Sequence, residues 1–191
     1  MRLDILDRGH PLPIKALFGV IRLVSRHPVV DAVKLAFYRR DFFGAGELTH
    51  EAMRGPSQWS VGDRELMAAF VSQANACPFC IAAHSATSSQ WFDDDAKIAA
   101  TLTDVDTAPI GEPLRATLRL LGKLTREHSV DADDMRAALA AGVSAQQIED
   151  ALAVCLAFDI TNRLANAFNF ALADPAAMNA GAKHLLKRGY R

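Results

Sequence analysis

The sequence predicts an all-α protein, and three observations support this fold class. Alanine and leucine dominate, β-branched alternation is nearly absent, and no segment shows the period-two pattern of a strand. Apolar residues instead recur every three or four positions, as at Leu114, Leu118 and Leu121. Because this spacing places them on one helix face, the chain is expected to fold as packed helices.

Helix starts are well marked in the central and C-terminal parts of the chain. Ser60 begins the stretch SVGDRELMAAFVSQ, with an acid three residues on, which resembles a capping box. Asp131 precedes a short helix with acids in its first turn, and Gly142 lies just past the end of that helix. Ser144 is expected to cap the longest helix, which the sequence predicts over residues 145–172.

Composition restricts the class of protein. A chain of 191 residues, half of them hydrophobic and with a net charge of -1, is typical of one soluble globular domain. The balance argues against a disordered chain and against a nucleic-acid binder. Lys15 and Arg22 interrupt the most apolar early stretch, so no membrane span is predicted. We find no secretory signal and therefore expect a cytoplasmic location, where structural disulfides are rare.

A single domain is predicted over 1–191, with residues 1–45 as a helical N-terminal arm and 55–170 as the core. The arm carries several basic side chains among apolar ones: Arg22, Arg26, Lys34, Arg39 and Arg40. We interpret these as a solvated helix face, because Asp31 and Asp41 interrupt the positive charge. Binding of the arm to a membrane surface or an acidic partner is the alternative.

The stretch ACPFCIAAH, residues 76–84, concentrates the reactive side chains. Cys77, Cys80 and His84 are spaced i, i+3 and i+7, which places them along one helix face. Pro78 favours the first helical turn, so Cys77 is expected near the N-cap. A helix N-terminus stabilises thiolate over thiol, and His84 can accept the proton of Cys80 or pair with its thiolate.

Glu65 is the expected fourth member of this site. It precedes Cys77 by twelve residues, on the helix that leads into the turn. If two antiparallel helices meet at this turn, Glu65 lies about 15 Å before it and His84 about 10 Å after it. The carboxylate is therefore expected closer to His84 than to the sulfurs, and the spacing predicts a relay from Glu65 through His84 to Cys80.

The motif also allows other interpretations. A closed zinc site needs a fourth ligand, and the other histidines are scattered. Haem attachment requires histidine directly after the second cysteine, where Ile81 stands, and a thioredoxin-like site expects a βαβ context. A purely structural role would make the cysteines small buried hydrophobes and the histidine a core residue. We favour redox chemistry, with no metal and no cofactor.

The pattern E-x11-C-x2-C-x3-H on Glu65, Cys77, Cys80 and His84 resembles the alkylhydroperoxidase D-like (AhpD-like) proteins of the carboxymuconolactone decarboxylase family. The resemblance covers about residues 55–170. It implies an AhpD-like helical fold that assembles as a homo-oligomer, and a peroxidase that reduces organic hydroperoxides. It also implies that Cys80 attacks the hydroperoxide, that Cys77 resolves the sulfenic acid as a disulfide, and that Glu65 and His84 relay protons.

The resemblance also bears on partners. It implies a hydroperoxide substrate and a dithiol reductant, which in the family can be a dihydrolipoamide-type group; neither nucleic acid nor membrane is expected. The chain departs from the best-known members at Phe79, where they carry a second histidine. Two alternative functions therefore stay open. One is redox sensing or disulfide exchange with little peroxidase turnover, and the other is a zinc or purely structural site.

Overall fold

The computed structural model describes residues 4–39 and 45–190. Within these ranges the chain forms eleven helices and no strand, which confirms the all-α class. The helices are α1 (Ile5–Arg8), α2 (Leu12–Ser25), α3 (Asp31–Tyr38), α4 (Ala45–Arg54), α5 (Val61–Ala74), α6 (Pro78–Phe92), α7 (Asp95–Thr103), α8 (Glu112–Glu127), α9 (Ala132–Ala140), α10 (Ala145–Ala167) and α11 (Pro175–Arg188).

The expected helix starts are confirmed. The Ser60 side chain accepts from the Asp63 N–H, and the Asp63 carboxylate accepts from the Ser60 N–H, which completes a capping box for α5. Asp131 caps α9 and Ser144 caps α10 in the same way. Each cap is worth about 1 kcal/mol, because it satisfies N–H groups that have no partner within the helix.

The longest helix ends earlier than the sequence predicts. It stops at Ala167 rather than continuing to residue 172. Asn169 adopts a left-handed conformation with φ of 50°, and the Phe170 N–H donates to the Ala165 carbonyl at 2.9 Å. This is the hydrogen bond of a Schellman motif, with asparagine in the position that glycine more often occupies. The apolar residues after Ala167 continue the helical pattern, so the sequence predicted a longer helix.

Helix α5 lies at the centre of the fold. It packs against α6, α8 and α10, and nine of its residues are buried. The largest fully buried apolar side chains of this core are Phe158, Met53, Leu66, Met67, Ile98, Leu118, Leu121, Val71 and Val154. Burying a side chain of this size contributes about 1.5–3 kcal/mol. The core therefore fixes α5 rigidly, together with any functional side chain that it carries.

A tight turn joins α5 to α6 and determines where the cysteines lie. Ala76 has a φ of 48°, in the left-handed region, and the Cys77 N–H donates to the Ser72 carbonyl at 2.9 Å. A left-handed alanine costs roughly 1–2 kcal/mol, so the surrounding contacts must impose this conformation. Pro78 then begins α6 and leaves Cys77 at its N-cap, as expected.

The N-terminal arm covers the cysteine pair. Leu6 of α1 and Leu35 of α3 are fully buried in one apolar cluster with Cys77, Phe79, Cys80, Ala165 and Phe170. The Asp31 carboxylate accepts from the Ala171 N–H at 2.9 Å, which ties α3 to the segment after α10. Residues 1–3 and 40–44 of the predicted arm, with Arg40 and Asp41, lie outside the described residues.

Helix α2 exposes Arg22 to solvent, as expected for this face. None of its residues is buried, and it exposes large apolar side chains: Leu12, Val20, Leu23 and Val24. Its inner face holds Phe18, whose ring meets Phe37 edge to face at 5.6 Å. No helix in the two described ranges combines the length and apolar character needed to cross a bilayer.

Candidate active site

Glu65 and His84 form a buried pair between α5 and α6. Glu65 is fully buried, His84 is 5 % exposed, and His84 Nδ1 lies 2.7 Å from Glu65 Oε2. This confirms the contact predicted from the spacing of the two helices about the turn. Because the carboxylate accepts the Nδ1 proton, it orients the imidazole and leaves Nε2 as the nitrogen that can take up a proton.

Two further side chains complete the surroundings of the carboxylate. Arg54, at the end of α4, donates to Glu65 Oε1 at 2.6 Å, and the Tyr190 hydroxyl donates to the same oxygen at 2.9 Å. The Tyr190 ring also stacks on His84, with ring centroids 6.3 Å apart and planes 20° from parallel. The Arg54 guanidinium lies 5.1 Å from the centroid of the Tyr190 ring. The result is a closed cluster of four side chains.

The electrostatics of this cluster favour an ionised carboxylate. Burial alone would raise the pKa of Glu65, but the hydrogen bond and charge of His84, together with the charge of Arg54, hold that pKa below its ordinary value. Burial and the nearby Glu65 charge raise the pKa of Tyr190 well above its ordinary value. Tyr190 therefore remains a hydrogen-bond donor at any physiological pH.

Gly189 allows the chain to bring Tyr190 into the cluster. Its φ is 70°, in the region that residues with a side chain rarely adopt. A Cβ atom at this position would lie 3.1 Å from Arg54 Cγ and 3.1 Å from His50 Cε1. Arg54 Nη2 also donates to the Leu185 carbonyl at 3.1 Å, which holds the end of α11 beside α4. Glycine is thus required for the close approach.

The two cysteines are reduced and almost fully covered. Cys77 and Cys80 are each 1 % exposed, and both are free thiols. Interaction with the Cys80 thiol lowers the pKa of Cys77 to about 7 against the effect of burial, and the backbone N–H groups of Cys80 and Phe79 lower it further. The same interaction, with burial, raises the pKa of Cys80. The directions of the two shifts therefore favour ionisation of Cys77 over ionisation of Cys80.

This charge distribution differs from the one expected for the relay. The helix N-terminus stabilises the sulfur at the N-cap, Cys77, whereas Cys80 keeps its proton in the reduced pair. Among the described residues no hydrogen bond joins His84 directly to Cys80, so only the first half of the relay is formed directly. The roles of Cys80 as attacking sulfur and Cys77 as resolving sulfur stay predictions.

The surroundings of the sulfurs are apolar. Phe79, between the cysteines, is 8 % exposed and meets Phe170 edge to face at 5.3 Å. Phe158 lies against His84, with ring centroids 4.4 Å apart. Over residues 4–39 and 45–190, no group of three or more His, Cys, Asp or Glu side chains is placed to hold a metal ion. Cys155 is buried elsewhere, beside Thr125, as a small hydrophobe.

Arg54 and Tyr190 are the members of the cluster that sequence reasoning missed. Arg54 lies 11 residues before Glu65, and a basic residue at the end of one helix that faces an acid on the next was a usable signal. Tyr190 lies 125 residues after Glu65, and no local pattern connects the two positions. Only the packing of α11 against α6 brings them together.

Comparisons with known proteins agree with this fold. The model of the carboxymuconolactone decarboxylase family matches residues 41–123. An uncharacterized peroxidase-related protein from Silicibacter sp. TM1040 superposes with a TM-score of 0.76 at 24% identity, covering 92% of each chain. An alkylhydroperoxidase AhpD core, an uncharacterized peroxidase-related protein from Ralstonia eutropha JMP134, gives 0.74 at 23% identity, covering 91% of this chain and 92% of its own. No curated protein matches significantly.

The two structural matches superpose well on this chain but share little sequence with it, so they establish its fold alone. The family match covers Arg54, Glu65, both cysteines of the motif and His84, but it ends before α8 is complete and does not reach Tyr190. Residues 41–123, less than half of the chain, are therefore similar to the carboxymuconolactone decarboxylase family, and the chain has the AhpD-like all-α fold.

Proposed function

We propose that this protein is a thiol-dependent peroxidase that reduces organic hydroperoxides through Cys77 and Cys80. The observation that carries the proposal is the buried Glu65–His84 pair, joined at 2.7 Å, with His84 on the helix that carries two neighbouring thiols at its start. A thiolate is the nucleophile in peroxide reduction, and a neighbouring thiol is what rescues the sulfenic acid product. The family also includes decarboxylases, but this pair of thiols favours redox chemistry.

The reaction requires one proton shift before the attack that the family resemblance implies. The proton of Cys80 moves to the Cys77 sulfur, which leaves the thiolate on Cys80. That thiolate attacks the terminal oxygen of the hydroperoxide; an S–O bond forms, the O–O bond breaks, and the alkoxide takes a proton to leave as an alcohol. The Cys77 thiol then attacks the sulfenic acid, which forms the disulfide and releases water. Overall, two thiols are oxidised and one hydroperoxide is reduced.

The buried pair is suited to supply the proton that the alkoxide needs. His84 lies one helical turn from Cys80, and Glu65 stabilises its imidazolium form. The rings of Phe79 and Phe170 line the neighbouring space with apolar surface. An organic hydroperoxide gains more from such a lining than hydrogen peroxide does, because its alkyl group is removed from water.

The disulfide must be reduced by a second dithiol for the enzyme to turn over. Exchange proceeds by attack of an external thiolate on one sulfur, through a mixed disulfide. We propose a dithiol of the dihydrolipoamide type as the donor, in line with the family resemblance, and a homo-oligomer as the working form.

Stoichiometric oxidation of the reduced protein tests the proposal. With one equivalent of cumene hydroperoxide, the titratable thiols in denaturant should fall from three per chain to one, because Cys155 is not consumed. Dihydrolipoamide should then support continuous alcohol formation. Cys80→Ser should abolish turnover, whereas Cys155→Ser, a matched change of a buried cysteine outside the pair, should retain it. Full turnover by the Cys80 variant, or three thiols remaining in the wild type, would exclude the mechanism.

Redox sensing or disulfide exchange with little peroxidase turnover is the second candidate, and the burial of the sulfurs favours slow turnover. At 1 % exposure neither sulfur can meet a bulky partner without movement of the arm. A sensor would form the disulfide stoichiometrically, show negligible turnover with dihydrolipoamide, and change its oligomeric state between the reduced and oxidised forms. Light scattering on both forms, measured beside the turnover assay, separates the two functions.

A further inference from the structure

We propose that Tyr190 is a positioning residue for the Glu65–His84 pair, and that the left-handed φ of Gly189, after α11, allows Tyr190 to reach this pair. The inference deepens the proposed function and rests on it for its catalytic meaning. The residue lies outside the segment that matches the family, so the family pattern does not include it.

The hydroxyl of Tyr190 contacts both members of the pair. It donates to Glu65 Oε1 at 2.9 Å, and its oxygen lies 3.3 Å from His84 Nδ1. Because the hydroxyl proton is directed at the carboxylate, the oxygen lone pairs are free to accept from the Nδ1 proton that Glu65 Oε2 also accepts. The hydroxyl thus bridges the carboxylate and the imidazole and favours the tautomer that has its proton on Nδ1.

The ring of Tyr190 restricts the imidazole in a second way. It lies nearly parallel to His84, and Phe158 meets His84 edge to face. Two rings and one carboxylate therefore define the orientation of His84. Such restraint matters for proton transfer, which is sensitive to the direction in which the free nitrogen points.

The charges around the carboxylate determine the direction of the effect. The charged and titratable groups that act on it come from the neighbouring helices and from the segment after α11: Arg54, Arg64, His84 and Tyr190, with Cys80 acting on Tyr190. The Tyr190 hydroxyl stabilises the ionised form of Glu65. Removing it leaves the Nδ1 proton of His84 with one acceptor instead of two, so this proton is held less firmly against exchange with solvent.

Tyr190→Phe tests the inference without depending on peroxidase activity. The readout is the rate at which the His84 Nδ1 proton exchanges with solvent, measured by NMR and assigned with a His84→Gln spectrum. Exchange should be roughly five-fold faster in Tyr190→Phe, the effect that loss of one hydrogen bond supports. The matched control is Tyr38→Phe, which removes the only other tyrosine hydroxyl, in the N-terminal arm, and should leave the exchange rate unchanged. Gly189→Ala keeps the hydroxyl but obstructs its approach, so it should also accelerate exchange.

The outcomes separate this inference from the proposed function. Faster exchange of the Nδ1 proton in Tyr190→Phe and in Gly189→Ala, absent from Tyr38→Phe, supports the positioning role even if the wild type shows no turnover with a hydroperoxide. If the wild type turns over, Tyr190→Phe should lower kcat with little change in KM, because it disturbs proton transfer and leaves the thiols in place. An unchanged exchange rate in both site variants overturns the inference, whatever the activity.

Discussion

The location of the negative charge within the cysteine pair is the most direct quantity to test. The pKa of Cys77 is lowered from an ordinary value of 9.0 to about 7, chiefly by interaction with the Cys80 thiol. At pH 7 a thiol with a pKa of 7 is about half ionised, whereas one with a pKa of 9 is about 1 % ionised. Replacing Cys80 by alanine removes the largest stabilising interaction, while burial still opposes ionisation.

Ultraviolet thiolate absorbance of the reduced protein, measured against pH, reads this ionisation without requiring access to the sulfurs. The wild type should show one thiolate per chain with a midpoint near pH 7. In Cys80→Ala the midpoint should rise by one to two pH units, so the thiolate signal at pH 7 falls roughly five-fold or more. Cys155→Ser should not alter the curve near neutral pH, because burial raises the pKa of Cys155 to about 11.

Cys77→Ala decides which sulfur carries the charge. It should abolish thiolate absorbance below about pH 8, since Cys80 alone is buried and lacks the N-cap position. A thiolate that still titrates near pH 7 in Cys77→Ala would place the charge on Cys80 and refute the reasoning. So would a wild-type midpoint near pH 9.

The same pKa difference also predicts a pH-dependent stability. A thiol whose pKa is lower in the folded state adds stability above its unfolded pKa and loses it as pH falls through the folded value. For Cys77, with values of about 7 and 9, the contribution of this thiol to the free energy of unfolding of the reduced protein should rise by about 2 kcal/mol between pH 7 and pH 9. Urea unfolding should show that this rise is missing in Cys77→Ala.

Two further substitutions test the buried pair and the arm. Glu65→Gln should lower the free energy of unfolding by about 3 kcal/mol, because Arg54 loses its charged partner, whereas the exposed Glu149→Gln should cost little in urea unfolding. Leu35→Ala should loosen the arm and accelerate the reaction of Cys77 and Cys80 with a disulfide reagent several-fold. Leu23→Ala, on the exposed face of α2, should leave this rate unchanged. Equal rates in the two variants would contradict the conclusion that the arm covers the cysteine pair.

The parts of the site that could be predicted from sequence are those joined by a local connection. Glu65 and His84 lie on consecutive helices joined by a short turn, so the rise per residue of a helix was sufficient to place them together. Proline after Cys77 likewise fixed that residue at a helix start. These constraints are local, so they do not depend on the packing of the rest of the chain.

The parts that could not be predicted depend on long-range packing or on competing electrostatic effects. Tyr190 reaches Glu65 only because α11 docks on α6, and its own neighbours in sequence carry no sign of it. The sharing of charge between Cys77 and Cys80 depends on burial and mutual distance, which spacing alone does not supply. The stop of α10 at Ala167 depends on a left-handed Asn169 that the apolar run around it concealed.

The unequal ionisation of the two sulfurs has a consequence for the electrochemistry of the pair. Below about pH 7, two-electron reduction of the disulfide takes up two protons, because both thiols are neutral; above it, only one is taken up, since Cys77 stays ionised and Cys80 protonated. The midpoint potential should therefore fall by about 59 mV per pH unit in acid and by about 30 mV per pH unit in base. Ordinary thiols would place this change of slope about two pH units higher, so in this protein the driving force of the couple changes its dependence on pH near neutrality.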